Sequence, residues 1–206
     1  MLRVGLTGGV ACGKSTVGQM LVARGARFLQ ADALAHRLYE PGEPVYHAVV
    51  ERFGQEILNC NGTIDRKRLA NAAFPDRVAE LNALVHPAVV TAQNRWMNEV
   101  AQSDPDGIAV IEAALIMEAG AAKDFDKLVV VTCDFDQKVA RYAHRAKCSP
   151  EEAKAEVLRR SAAQLSDAEK AAHADFIIDN SGTLEATTRQ VETLWGKLKH
   201  LGAHPH

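Results

Sequence analysis

The sequence predicts an α/β fold, a parallel sheet covered by helices on both faces, with two helical insertions on one rim. Three observations carry that expectation. Leu2–Thr7, Ile108–Ile111 and Leu128–Thr132 are short apolar runs bounded by polar residues, the signature of buried strands. Stretches of helical spacing alternate with them, as they do in parallel sheets. Between the first strand and the first helix stands Gly8-Gly9-Val10-Ala11-Cys12-Gly13-Lys14-Ser15, with the spacing G-x-x-x-x-G-K-S.

In chain order, the first helix runs from Ser15 to Arg24 with Val17, Met20 and Leu21 on one face, and Gly25 ends it. Ala26–Asp32 reads as a second strand closing on an acid, and Ala33–Tyr39 as a short helix stopped by Pro41-Gly42. From Val45 to about Val100 the pattern is helical. Its breaks fall at Gly54, at the Asn61-Gly62 turn and at His86-Pro87, where Pro87 is expected to open a new helix. Residues 137 to 164 form a charged helical stretch, Ala174–Ile178 a last strand, and Thr183–Leu201 a closing amphipathic helix. The expectation is a single domain: a core over about 1–33, 104–136 and 166–206, a helical insertion over about 34–103, and a second over about 137–165.

With 47% hydrophobic and 24% charged residues the composition is that of an ordinary globular chain. A net charge of −2 gives no general attraction to nucleic acid or to an anionic membrane. Cys12, Cys60, Cys133 and Cys148 lack C-x-x-C spacing, which argues against a zinc site or a disulfide framework and suits a reducing compartment. The chain opens without a basic-then-apolar leader and has no apolar run of about 18 residues, so a cytoplasmic protein is expected.

Strand, glycine loop and helix start together make a phosphate site. Backbone N–H groups of Gly9, Val10, Ala11, Cys12, Gly13, Lys14, Ser15 and Thr16 can turn toward phosphate oxygens, and the helix N-terminus adds positive charge. Lys14 is placed to reach the β/γ-phosphates and the Ser15 hydroxyl to ligate Mg²⁺. Several enzyme classes share such a loop. A GTPase needs an N-K-x-D motif, which is absent, and the two D-x-x-G matches, at Asp104 and Asp179, read as turns. A motor ATPase needs a strand ending in Asp-Glu, whereas Ile108–Ile111 ends in Glu112 alone. A small kinase with a mobile arginine-rich flap remains. Residues 137–165 supply the flap: Arg141 and Arg145 share a helix face, and Ser149-Pro150-Glu151-Glu152 restarts the chain as a capped helix. Arginines there stabilise the charge on a transferring phosphoryl group. Asp32 either takes the proton of an acceptor hydroxyl or caps the helix after it; the residues alone leave both open. A kinase for another acceptor and a nucleotide-dependent binding module also stay open at this point.

The chain resembles the dephospho-CoA kinase family. The run Gly5-Leu6-Thr7-Gly8-Gly9-Val10-Ala11-Cys12-Gly13-Lys14-Ser15-Thr16-Val17 is similar to that family's opening motif. Ala31-Asp32 with Ala35-His36, Glu40-Pro41-Gly42, Leu81-Asn82 with His86-Pro87, Gln164, and Ala174-Asp175 with Ile178-Asp179-Asn180-Ser181-Gly182 match later motifs in order. The resemblance implies a nucleoside-monophosphate-kinase-like P-loop fold, with 34–103 as acceptor-binding insertion and 137–165 as lid. It implies transfer of the ATP γ-phosphoryl to the ribose 3′-hydroxyl of dephospho-CoA with Mg²⁺, the last step of coenzyme A biosynthesis, with small molecules as its only partners. It implies that Asp32 handles the 3′-hydroxyl, that Arg141 and Arg145 clamp the triphosphate, and that Asn180 lies beside the nucleotide. It also sets His86 and Glu118 at the acceptor, although His86 reads equally well as a structural residue before Pro87. Three positions depart from the family pattern: Gln30 stands where Asp is usual, Ala113-Ala114 replace a proline-containing segment, and Ala146 replaces a common Asp. Cys12 replaces a usual Ser. Beside Lys14 and a helix N-terminus, it is expected either to be a reactive, ATP-protected thiol or to be an unreactive small residue.

Overall fold

The computed structural model describes residues 1–203, and these divide into two compact units. One comprises Met1–Leu29 and the chain from Val100 onward; the other is Gln30–Glu99. The first is built on a five-stranded sheet of order β2-β3-β1-β4-β5. Its strands are β1 (Leu2–Gly8), β2 (Arg27–Gln30), β3 (Ile108–Glu112), β4 (Lys127–Thr132) and β5 (Phe176–Asp179). β1 is central and pairs in parallel with β3, where Leu6 meets Glu112, and with β4, where Gly8 meets Val131. β1 therefore continues past the end of β3 and delivers the glycine loop at the carboxyl rim, where such sheets bind ligands.

The apolar runs are strands because both of their faces are covered. Val4, Leu6, Val110, Val129 and Val131 pack with Val17 and Leu21 of α1 (Lys14–Val22) and with Val191, Leu194 and Leu198 of α9 (Leu184–Ala203), each buried. Full burial of such a side chain is worth about 1.5–3 kcal/mol. Between β4 and β5 lie α6 (Phe135–Ala146), α7 (Pro150–Ser161) and α8 (Asp167–Ala172). The charged stretch from 137 to 164 is two helices, with the break before Ser149-Pro150 as expected. Lys147 ends the first at φ 54°, and the Ser149/Glu152 capping box starts the second. α8 was not anticipated.

The other unit contains α2 (Ala31–Leu38), α3 (Pro44–Phe53), α4 (Arg66–Ala73) and most of α5 (Val78–Ser103). Its core is Val45, Val49, Phe53, Ile57, Ile64, Leu69, Ala73 and Val85. Asp65 caps α4 by accepting from the amides of Lys67 and Arg68. Two expectations are corrected here. β2 stops at Gln30, so Asp32 neither ends a strand nor caps a helix: it is the second residue of α2, whose N-cap is Gln30. The expected break at His86-Pro87 is absent, and α5 runs straight through Pro87. A proline inside a helix costs about 3 kcal/mol in lost bonding and ring contact. The burial of Val85 and the packing of Leu81, Leu84, Ala88 and Val89 on both sides of Pro87 offset it. Among the described residues no helix is long and apolar enough to cross a membrane.

Candidate active site

The glycine loop joins β1 to α1, and its last residue fixes its shape. Gly13 is the N-cap of α1 with φ 92°, a left-handed conformation that strains residues bearing a Cβ. Space forbids a side chain there as well, since a Cβ would come within 2.1 Å of Asn180 Nδ2. The amides of Lys14, Ser15 and Thr16 fall in the first turn of α1, where N–H groups lack intrahelical partners and suit an anion. Ala11 holds φ 54°, a left-handed value uncommon outside glycine and found at functional turns. Lys14 Nζ donates to the carbonyls of Gly8 at 3.0 Å and Gly9 at 2.9 Å, which sets its ammonium at the loop. Ser15 Oγ donates to Glu112 Oε1 at 2.9 Å. A hydroxyl and a carboxylate side by side are hard oxygen donors of the kind Mg²⁺ takes.

On the other side of the loop, Arg141 of α6 reaches the Cys12 carbonyl at 3.4 Å, Cys133 Sγ at 3.2 Å and the Asn180 carbonyl at 2.9 Å. Asn180 is buried. It donates to the Cys12 carbonyl at 2.8 Å and accepts from Thr187 Oγ1 at 2.8 Å. Gly9, Val10, Ala11, Cys12, Gly13, Lys14, Ser15, Arg141 and Asn180 therefore lie in one place, and Glu112 joins them. A strand ending on an acid is the sequence signal for Glu112.

Arg145, one turn beyond Arg141, stands apart. Its guanidinium lies 5.4 Å from the centre of the Tyr142 ring, and α7 brings Arg160 to 5.5 Å from the same centre. Glu118 is committed elsewhere: it pairs with the buried Lys170 at 3.0 Å and accepts from the Leu165 amide at 2.9 Å. Burial opposes ionisation of Glu118, yet these bonds outweigh it and hold its carboxyl below the ordinary range. Asp32 is exposed in the first turn of α2, and His86 is exposed on α5. The reactive reading of Cys12 is corrected. Its thiol is buried, and desolvation pushes its pKa up despite the nearby Lys14.

The sheet order, the glycine loop on its central strand and the paired helices after β4 define a P-loop kinase. The comparisons narrow this further. Residues 2–186 match the family model for dephospho-CoA kinase. A dephospho-CoA kinase of Geobacter metallireducens is 42% identical over 197 residues, covering 95% of this chain and 96% of that protein. A crystal structure from Thermus thermophilus superposes with a TM-score of 0.77 at 30% identity, covering 96% of this chain and 97% of that one. A dephospho-CoA kinase from Campylobacter jejuni, 22% identical with a TM-score of 0.62, shares the fold over 95% of this chain and 96% of its own. The chain belongs to the dephospho-CoA kinase family.

Proposed function

We propose that the protein phosphorylates the ribose 3′-hydroxyl of dephospho-CoA with ATP, giving coenzyme A and ADP. The family membership over residues 2–186 carries this reading. In it, Lys14 and the first-turn amides of α1 hold the β- and γ-phosphates, and Ser15 with Glu112 would hold Mg²⁺, which neutralises charge on the phosphates. Arg141, tied to Asn180 and the Cys12 carbonyl, supports the nucleotide end of the loop. Asp32 accepts the proton of the 3′-hydroxyl as its oxygen bonds to the γ-phosphorus and the bond to the ADP oxygen breaks. The exposure of Asp32 and its position two residues past β2 favour this role. The α6–α7 hairpin serves as a lid that brings Arg145 to the triphosphate, and His86 lies on the acceptor side. Glu118 supports this lid rather than touching substrate. With small-molecule substrates and free thiols throughout, the reaction belongs to the cytoplasm.

The test is direct: purified protein with MgATP and dephospho-CoA yields coenzyme A and ADP. Turnover of a different hydroxyl acceptor in preference, or none beside an active control enzyme, overturns the reading. Lys14→Ala is expected to lower kcat about a hundredfold, the weight of one well-placed charged contact. Asp32→Asn is expected to lose most of kcat while leaving KM for ATP nearly unchanged, and normal turnover in that variant removes Asp32 from the chemistry.

A further inference from the structure

Beneath the glycine loop lies a pair of charges that phosphate binding leaves unexplained. Lys138, in the first turns of α6, is buried, and its ammonium binds the carboxylate of Asp167, the first residue of α8. The pair is pressed against Gly9. A Cβ on that glycine would stand 2.8 Å from Asp167 Oδ1 and 3.1 Å from Lys138 Nζ. In the sequence these two residues bracket the α6–α7 hairpin beyond the first turn of α6. The helix that carries Asp167 is fixed a second time, one turn on. There Lys170 Nζ, wholly buried, donates to the Ala114 carbonyl at 2.8 Å and pairs with Glu118. The same carbonyl accepts from Thr7 Oγ1 of β1 at 3.2 Å.

A buried ion pair is seldom more stabilising than apolar residues of the same size, but its direction and register are strict. Here one pair joins both ends of the hairpin at a single point, and that point is the α-carbon of a loop residue whose carbonyl also holds Lys14. We infer that Lys138 and Asp167 are positioning residues that clamp the base of the hairpin to the phosphate loop, so that a triphosphate on the loop is answered by ordering of the hairpin. The inference rests on the reading of the hairpin as a nucleotide lid.

The experiment uses the intact protein, Mg²⁺ and the non-hydrolysable analogue β,γ-imido-ATP, and follows tryptic cleavage within residues 139–166 together with steady-state kinetics. Bound analogue is expected to slow cleavage of the hairpin in the unsubstituted chain. Lys138→Met and Asp167→Asn are each expected to lose most of that protection at saturating analogue. Each should lower kcat by about ten- to a hundredfold, the upper figure being what a misplacement of about 1 Å can cost, with analogue affinity and KM for ATP held within about threefold. Lys138→Arg, and the charge exchange Lys138→Asp with Asp167→Lys, should recover at least half of the loss. Protection and kcat that survive both single substitutions overturn the inference. So does an exchange variant no better than the weaker single one, or a fall in Tm that tracks the whole loss of kcat. If the unsubstituted chain binds the analogue yet gains no protection, the lid reading itself falls and takes this inference with it.

Discussion

The base and the exposed outer face of the α6–α7 hairpin carry the same kinds of charge in opposite settings. At the base, Lys138 is 10% exposed and Lys170 wholly buried, and each meets one carboxylate and lies against the backbone of the sheet or its loops. On the exposed face of α7, Glu156 meets both Arg159 and Arg160, whose side chains are 67% and 47% exposed. Hydrogen bonds from those arginines bring the Glu156 carboxyl to about 2. That shift converts to little stability, because exposed pairs are screened and typically contribute about 0–1 kcal/mol. Removing one member of a buried pair, by contrast, strands the other and costs about 3–5 kcal/mol. The hairpin is thus anchored at its base and able to re-pair its arginines on its exposed face.

Breaking the base should give the largest effect. Lys170→Met leaves Glu118 without its cation and removes a charged hydrogen bond to the Ala114 carbonyl, and an expected loss of about 1.5–3 kcal/mol corresponds to roughly 5–10 °C in Tm for a domain of this size. A thermal scan showing a shift of only a degree or two would refute the anchoring. Arg141→Ala removes the one hairpin arginine bonded at the loop and should reduce kcat/KM for ATP by roughly a hundredfold. Arg145→Ala should spare KM and lower kcat, and equal effects from the two would erase the distinction between them. At the far end, Ser149→Ala dismantles the capping box of α7 and should cost about 1 kcal/mol in urea denaturation. Glu156→Gln should stay within about 0.5 kcal/mol, as surface changes usually do.

Acid sharpens the same contrast. The Glu118 carboxyl sits lower in the folded chain than in the unfolded one. Its stabilisation is therefore fully present above about pH 5, beyond the unfolded value, and fades as pH falls through the depressed folded value. Asp126 beside Arg3 and Asp175 beside Lys127 shift the same way despite partial burial. Melting followed from pH 6 to pH 3 should show falling Tm, with a shallower fall in Glu118→Gln. The smallest effect concerns Cys12: buried with a raised pKa, it should react with iodoacetamide more slowly than exposed Cys60, with or without ATP.

Much of the sheet was legible because β1, β3 and β4 are buried on both faces, which leaves uninterrupted apolar runs at fixed distances from the glycine loop. Ser149-Pro150-Glu151-Glu152 was legible because capping chemistry is local. α8 announces itself by the same pattern, Ser166 accepting from the Glu169 amide, but its six residues, three of them alanine, carry no large apolar stripe for a periodicity to reveal. Pro87 misled because propensity is local while the burial that carries α5 through it comes from residues far along the chain. Asp32 was placed one element too early, since nothing in Ala31-Asp32 distinguishes a strand end from a helix start. At the site, the loop and Arg141 came from pattern. The commitment of Glu118 to Lys170, by contrast, needs two residues distant in sequence to meet, and no spacing rule reports that.

The contact of Gly13 with Asn180 also sets an order of events during synthesis. The phosphate loop leaves the ribosome 168 residues ahead of the side chain that braces the Cys12 carbonyl, and further still ahead of the Thr187 hydroxyl that orients that side chain. Chains fold from the N-terminus as they emerge. A nascent chain therefore carries the complete phosphate motif long before it carries the groups that hold the motif in shape, and its competence to grip a nucleotide arrives only once β5 and α9 have followed.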